Sequence, residues 1–289
     1  MKEFFLGHFF LLCLVLSIFC GGLQAKQSKG NALRVMSFNI RLGVANDGEN
    51  RWDLRKDLVV KTIRDYNPDL LGLQEVFPMQ EEYLRKNFPD YLYYGRSRLV
   101  NPKDGEACSV MFRKERFEAI KKSTFWLSET QDEPGSKSWD SSLPRIANLV
   151  GLTDKQAVGK KLIFINTHFD HRGKKAREEA AKIIKNRVST LEKGEGVVIT
   201  GDFNSGEGSR PYQFLVGDNL IDTFRLVHPS RTEQESTFTA WKGRLIGNRI
   251  DWVLCSPNFR VLSAEINRTN DNGRYPSDHY PVTATLNYQ

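Results

Sequence analysis

Residues 196–202 of this 289-residue chain read Gly-Val-Val-Ile-Thr-Gly-Asp, a β-branched apolar run bounded by glycine and ending in a carboxylate. Such a run is predicted to be a strand buried on both faces. If the extended conformation persists through Phe203, the period of two points Asp202 and Asn204 the same way at the strand's exit. The pattern recurs along the chain. Residues 33–39 alternate as a strand ending in Asn39, residues 70–75 end in Glu75, and residues 161–168 end in His168. Asp251 is embedded in the apolar run 249–256, and Asp278 and His279 precede a last strand expected after Tyr280. Further strand-like runs lie at 91–94, 107–113, 117–127 and 146–152. Helical spacing appears at 53–66, 79–88, 174–191 and 211–215, with Asn67-Pro68 stopping the first of these helices. Strands and helices alternate without repeats or low-complexity tracts, which predicts an α/β fold in one domain over residues 31–289.

The first residues are read separately. Lys2 precedes the apolar run 9–19, followed by the small residues Gly21, Gly22 and Ala25. Basic start, short apolar centre and small-residue exit predict a secretory signal peptide over residues 1–25, followed by a linker at 26–30. The run is shorter than the roughly 20 apolar residues a membrane span needs, so no transmembrane segment is expected in the mature chain. The bulky Phe19 argues against lipoprotein processing at Cys20. A secreted or periplasmic protein, monomeric, is the expectation. Cys13 and Cys20 leave with the signal, whereas Cys108 and Cys255 lie in strand-like runs and are expected as buried free thiols. No CxxC or Cys/His cluster points to zinc.

Hydrophobic content of 39% and charged content of 27% fit a soluble globular protein with a sizeable core. A net charge of +7 favours phosphate-rich partners without choosing nucleic acid over anionic lipid.

Polar side chains at the ends of buried strands are costly unless paired, and α/β architectures concentrate ligands there. Each has a bland alternative. Asn39 could cap a turn, Glu75 could be solvated, and Asp251 could pair with Arg249 or Arg244. Together they form an ordered set: Phe38-Asn39, Leu73-Gln74-Glu75, Asn166-Thr167-His168, Gly201-Asp202-Phe203-Asn204, Arg249-Ile250-Asp251 and Ser277-Asp278-His279-Tyr280-Pro281. This set resembles the motifs of the endonuclease/exonuclease/phosphatase superfamily, in a secreted bacterial-type form, and the resemblance covers essentially the whole mature chain.

The resemblance implies a four-layer α/β sandwich, two mixed β-sheets packed face to face with helices outside. It also implies hydrolysis of a phosphodiester or phosphomonoester by in-line attack of an activated water, with Mg2+ or Mn2+ as cofactor. On that reading Glu75 is the metal carboxylate, helped by Asn39 and Asp278, since hard oxygen ligands suit these ions. Asp202 activates the water and Asn204 holds phosphate or nucleophile. His279 serves as phosphate contact or general acid, oriented by Asp251, and His168 gives a second phosphate contact.

Outside the motifs, Asp170 and His171 either line the site or begin the following helix. Arg145 either reaches a phosphate or is a solvated or ion-paired residue. Residues 47–52 either shape substrate choice or make a turn and helix start, the polar segment 128–144 is expected as a long surface loop near the site that bears on substrate choice, and Trp126 and Trp241 are either platforms or core aromatics. The lysine-rich helix from 174 reads as a solvated face, because Glu178 and Glu179 interrupt it. A phosphoester is the expected substrate, with nucleic acid, a sphingomyelin-like lipid headgroup and a sugar or inositol phosphate as alternatives. A non-catalytic binding protein on the same fold is the rival from another class.

Overall fold

The computed structural model describes residue 1 and residues 32–192, 194–217 and 219–289. The expected signal peptide and linker lie outside the described residues. Contacts group Asn31–Gln289 into one compact unit.

Among the described residues there are twelve strands: β1 Leu33–Asn39, β2 Leu70–Val76, β3 Tyr91–Tyr94, β4 Ala107–Arg113, β5 Phe117–Trp126, β6 Ile146–Asp154, β7 Lys161–His168, β8 Gly196–Asp202, β9 Ile221–Asp222, β10 Asp251–Cys255, β11 Phe259–Ile266 and β12 Val282–Tyr288. Five α-helices accompany them: α1 Trp52–Tyr66, α2 Pro78–Asn87, α3 Lys174–Ser189, α4 Arg210–Leu215 and α5 Thr223–Val227. One six-stranded sheet has the order β11-β12-β1-β2-β4-β3 and the other β5-β6-β7-β8-β10-β9. Each is mixed, with a single parallel pair at its centre, β1 with β2 and β7 with β8. This is the expected four-layer sandwich.

Strand alternation builds the layers. Along β1, Leu33 and Val35 join the core between the sheets, while Met36 and Phe38 face the outer cluster that includes Val59 and Ile63 of α1 and Leu84 of α2. Along β8, Val198 faces inward, and Val197 and Ile199 pack outward with Ala180 and Ile184 of α3. Cys108 and Cys255 are buried free thiols, and burial pushes the Cys255 thiol up to about 12.

The space between the sheets changes character along the strands. Leu33, Leu70, Leu162 and Val198 fill it at one end. Toward the other end the inward positions become polar. Gln74 Nε2 donates to Asn166 Oδ1 (2.6 Å), as does the Thr200 hydroxyl (2.9 Å). Asn166 Nδ2 in turn donates to the carbonyls of Leu73 (2.8 Å) and Ser109 (2.9 Å). Gly72 admits this cross-sheet bridge, because a Cβ there would lie 1.9 Å from Thr200 Oγ1. Beyond the bridge, at the same edge, lie the charged residues.

Several details depart from the sequence reading. The segment Phe259–Ile266 is an edge strand whose pairing with β12 is broken by a bulge between Val261 and Ser263. That bulge breaks the alternation along the segment and hid the strand. The short elements β9 and α5 were also not anticipated.

Candidate active site

Strand direction brings the polar residues together. Parallel β1 and β2 end in Asn39 and the Glu75 segment, and parallel β7 and β8 end in His168 and Asp202. β10 runs antiparallel to β8 with Asp251 opposite Asp202. β12 runs antiparallel to β1 with Val282 opposite Ser37, so the segment before it carries Asp278 and His279 to the same edge. Ser277 fastens that segment by donating from its hydroxyl to the Asn39 carbonyl (2.7 Å). Glu75 reaches the site through irregular backbone: its φ is +62°, and the β2–β4 ladder shifts between Leu73 and Val76. Positive φ at a non-glycine residue costs energy and clusters at functional sites. Arg41 (φ +56°), Asn204 (+47°) and the pair Ala240 (+51°) and Trp241 (+61°) share it around the same cavity.

The cavity has a volume of about 620 Å3 and is lined by both sheets' loops, including Arg41, Asp47, Glu75, Arg98, Glu106, Leu143, Arg145, His168, Asp202, Asn204, Trp241, Asp278 and His279. Asp202 stands at its centre. Its Oδ2 accepts from Asn39 Nδ2 (3.0 Å) and lies 3.4 Å from His168 Nε2 and 3.8 Å from His279 Nε2. Its Oδ1 accepts from the Asn204 amide (2.9 Å). Burial works to raise the Asp202 carboxyl, but the two imidazoles and the Asn204 and Asn39 donors hold it below the usual range.

Each histidine is backed by a second carboxylate. His279 Nδ1 meets Asp251 Oδ2 at 2.9 Å. Burial alone would lower the imidazole, yet Asp251 and Asp202 raise it well above its ordinary 6.5. On the other side, His168 Nδ1 lies 3.6 Å from Glu106 Oε1. Glu106 was missed by sequence reasoning. It is buried, bonded to Arg98 Nη1 and 3.3 Å from Arg145 Nη1. Burial pushes its carboxyl up, but His168, Arg98 and Arg145 together bring it down to about 2. The centre therefore reads carboxylate–imidazole–carboxylate–imidazole–carboxylate, from Glu106 through Asp202 to Asp251.

A second acidic group fills one end. Glu75 accepts from Asn39 Nδ2 at Oε1 (3.1 Å) and from the Leu42 amide at Oε2 (2.8 Å). Asp278 is buried, which raises its carboxyl, and Glu75 adds to that rise. A buried carboxyl pushed upward beside another carboxylate gains from a cation. Both residues offer hard oxygens, so the donor set fits Mg2+ or Mn2+. Asp202, Asp251 and His279 also gather ligand atoms within 4.8 Å of one another. The Asp251–His279 bond already engages two of these groups, and an imidazole suits softer ions. Glu75 and Asp278 are the better pair.

The placement of three residues narrows their expected roles. Asn39 presents N–H groups to Glu75 and Asp202, while its Oδ1 accepts from the Arg41 amide (2.9 Å). As oriented it positions two carboxylates, and its Oδ1 is already engaged by the Arg41 amide. Asp170 is not part of the cavity wall. Its carboxylate accepts from the Gly173 amide (2.7 Å), the Arg172 amide (3.0 Å) and the Ser142 hydroxyl (2.7 Å), tying segment 128–144 to the start of α3. Trp126 is buried, donating from Nε1 to the Arg98 carbonyl (2.7 Å), and so supports the Arg98 loop. Arg145 does line the cavity, between Glu106, His171 Nδ1 (3.1 Å) and Asp170 (3.6 Å). Arg249 pairs with Asp222, leaving Asp251 to His279.

The model of the Endonuclease/Exonuclease/phosphatase family matches residues 36–279. Among solved structures, the endonuclease/exonuclease/phosphatase from Bacteroides vulgatus is 32% identical, with a TM-score of 0.82 over 90% of this chain and all of that one (100%). The mannosyl-6-phosphatase Bt3783 of Bacteroides thetaiotaomicron is 29% identical, with a TM-score of 0.79 over 89% of this chain and 100% of its own. The CCR4-Not complex 3'-5'-exoribonuclease subunit Ccr4 of Candida albicans is 27% identical over 81% of this chain, which spans 37% of that protein's length. Relatives thus include a fungal protein, and similarity alone does not assign this chain to a secreted bacterial type.

Proposed function

The chain belongs to the endonuclease/exonuclease/phosphatase family, and from that membership we propose that it is a divalent-metal-dependent phosphoesterase acting on a small phosphorylated molecule, of the sugar-phosphate kind. The observation that carries the substrate class is the cavity of about 620 Å3, with Leu143 and Trp241 among the residues that line it. Cavities of roughly 300–1,000 Å3 suit small ligands. Similarity to a mannosyl-6-phosphatase agrees with it. Nor does the lysine-rich α3 offer a clear phosphate track, since Glu179 pairs with both Lys175 (2.6 Å) and Lys182 (2.9 Å).

Glu75 and Asp278 would hold the metal ion, which when bound neutralises charge on the phosphoryl oxygens. Asp202, held low, orients the attacking water and takes its proton. His279, oriented through Nδ1 by Asp251, turns Nε2 to the cavity and donates to a phosphoryl or leaving oxygen. His168, whose Nδ1 lies 3.6 Å from Glu106, does the same through Nε2. Arg98 and Arg145 bring guanidinium donors to the outer phosphate oxygens. Asn204 is fixed by donating from Nδ2 to the Phe169 carbonyl (3.0 Å), which sets the turn that bonds Asp202.

Export of the chain, on the order of residue types over 1–25, completes the proposal. The second reading is a nuclease, favoured by the likeness to an exoribonuclease subunit and by the net charge of +7. Rates on mannose 6-phosphate, bis-nitrophenyl phosphate and an RNA oligonucleotide, each with Mg2+ or Mn2+, separate the two. Phosphate release from the monoester should dominate, and His279→Ala should lose about 10^2- to 10^4-fold of it. Preferential shortening of the RNA would favour the nuclease.

A further inference from the structure

Arg41 projects into the acidic end of the cavity, among three carboxylates. Its Nε and Nη2 grip Asp47 in two-pronged fashion (2.9 and 3.1 Å). Its Nε is also 3.7 Å from Asp278, and its Nη1 is 3.9 Å from Glu75. The side chain lines the cavity and is 30% exposed, so it is not there to fill the core. Considerable structure holds it in place. The Arg41 backbone adopts φ +56°. Its carbonyl accepts from Arg55 Nη2 (2.9 Å) and from Gln80 Nε2 (2.9 Å). Through Nη1, the buried Arg55 also binds the carbonyls of Ile40 (2.6 Å) and Pro276 (3.0 Å), so one guanidinium locks the loops of both Arg41 and Asp278.

We propose that Arg41 is a built-in second cation, its guanidinium occupying the part of the acidic end that a second divalent ion would otherwise take, so that the site accepts one divalent ion. The inference rests on reading Glu75 and Asp278 as the metal pair. Two-metal sites place their ions about 3.5–4 Å apart, bridged by carboxylates. The guanidinium nitrogens lie 3.7 Å from Asp278 and 3.9 Å from Glu75, and the planar fork is anchored to Asp47 in a way an ammonium cannot reproduce. A second divalent ion between Asp47 and Asp278 would have to displace that fork against charge repulsion. Arg41 thereby keeps positive charge beside the phosphate regardless of metal concentration.

Counting bound Mn2+ tests this without reference to turnover. Metal-free protein is titrated with MnCl2, following heat and the electron-paramagnetic signal of free ion. The expected result is about one Mn2+ per wild-type chain and about two in Arg41→Met, the second binding more weakly. Arg41→Gln provides a second charge-free variant, and circular dichroism confirms that each is folded. Two ions in the wild type would overturn the proposal, as would one ion in both wild type and variants, which leaves the metal pair intact. No uptake by the wild type would overturn the metal reading and the inference together.

Discussion

Asp251 is hydrogen-bonded to His279 Nδ1 and Glu106 lies 3.6 Å from His168 Nδ1, so Asp202 stands between two imidazoles, each beside its own buried carboxylate. An imidazole facing a phosphate needs its far nitrogen fixed, and a carboxylate does this while favouring the charged ring. Glu106 was not legible because it follows a glycine at the end of a polar loop, where a glutamate reads as solvated. Its partners Arg98, Arg145 and His168 come from three separate segments. The carboxyl is held at about 2, below its ordinary 4.5. A carboxyl lowered in the folded state contributes stability that is present above about pH 4.5 and lost as pH falls toward 2. Urea unfolding of Glu106→Gln should therefore show a loss of about 1–3 kcal/mol at pH 7. The variant should also show a flatter decline between pH 4.5 and 2 than the wild type; parallel acid limbs would contradict the assignment. By contrast, Asp202, His168 and His279 could be read from the chain because each ends or precedes a buried strand, where an unpaired polar group is costly.

At the scale of the strands, the motifs divide into two jobs that sequence could not separate. Glu75 and His168 reach the cavity, whereas their motif partners Gln74 and Asn166 bridge the two sheets beneath it. Strand polarity announces that such residues are special, but which member faces the substrate depends on the bulge after Leu73. Element positions were largely readable from periodicity, and β11 was not, because its own bulge breaks the alternation. The bridge gives Gly72 a defined role. A Cβ would meet Thr200 Oγ1 at 1.9 Å and Asn166 Oδ1 at 2.5 Å, both held by the network. Gly72→Ala should cost about 2–3 kcal/mol, lowering the melting temperature by roughly 5–10 °C. A melting curve within a degree of wild type would show that the layer yields freely.

Across the whole molecule, two sheets of like design each place one parallel pair at the centre, and the four parallel strands end at a single edge. Antiparallel neighbours begin there, so six motifs scattered from residue 38 to residue 281 meet around one cavity. That convergence was available only through the family resemblance, since strand pairing leaves little local trace. Among the described residues no helix is long and apolar enough to cross a membrane. The placement of the loops that line the cavity, bearing Asp47, Arg98, Leu143 and Trp241, is a property of the assembled fold.

The central claim is that this edge hydrolyses a phosphoester with a divalent ion held by Glu75 and Asp278. Phosphate release from mannose 6-phosphate should be followed with Mg2+, after EDTA, and after Mg2+ is restored, beside Glu75→Gln. Activity should be lost on chelation, recover fully with Mg2+, and fall at least about 100-fold in the variant, as removal of a metal carboxylate implies. Undiminished release in EDTA, or a Glu75→Gln enzyme as fast as wild type, would contradict it.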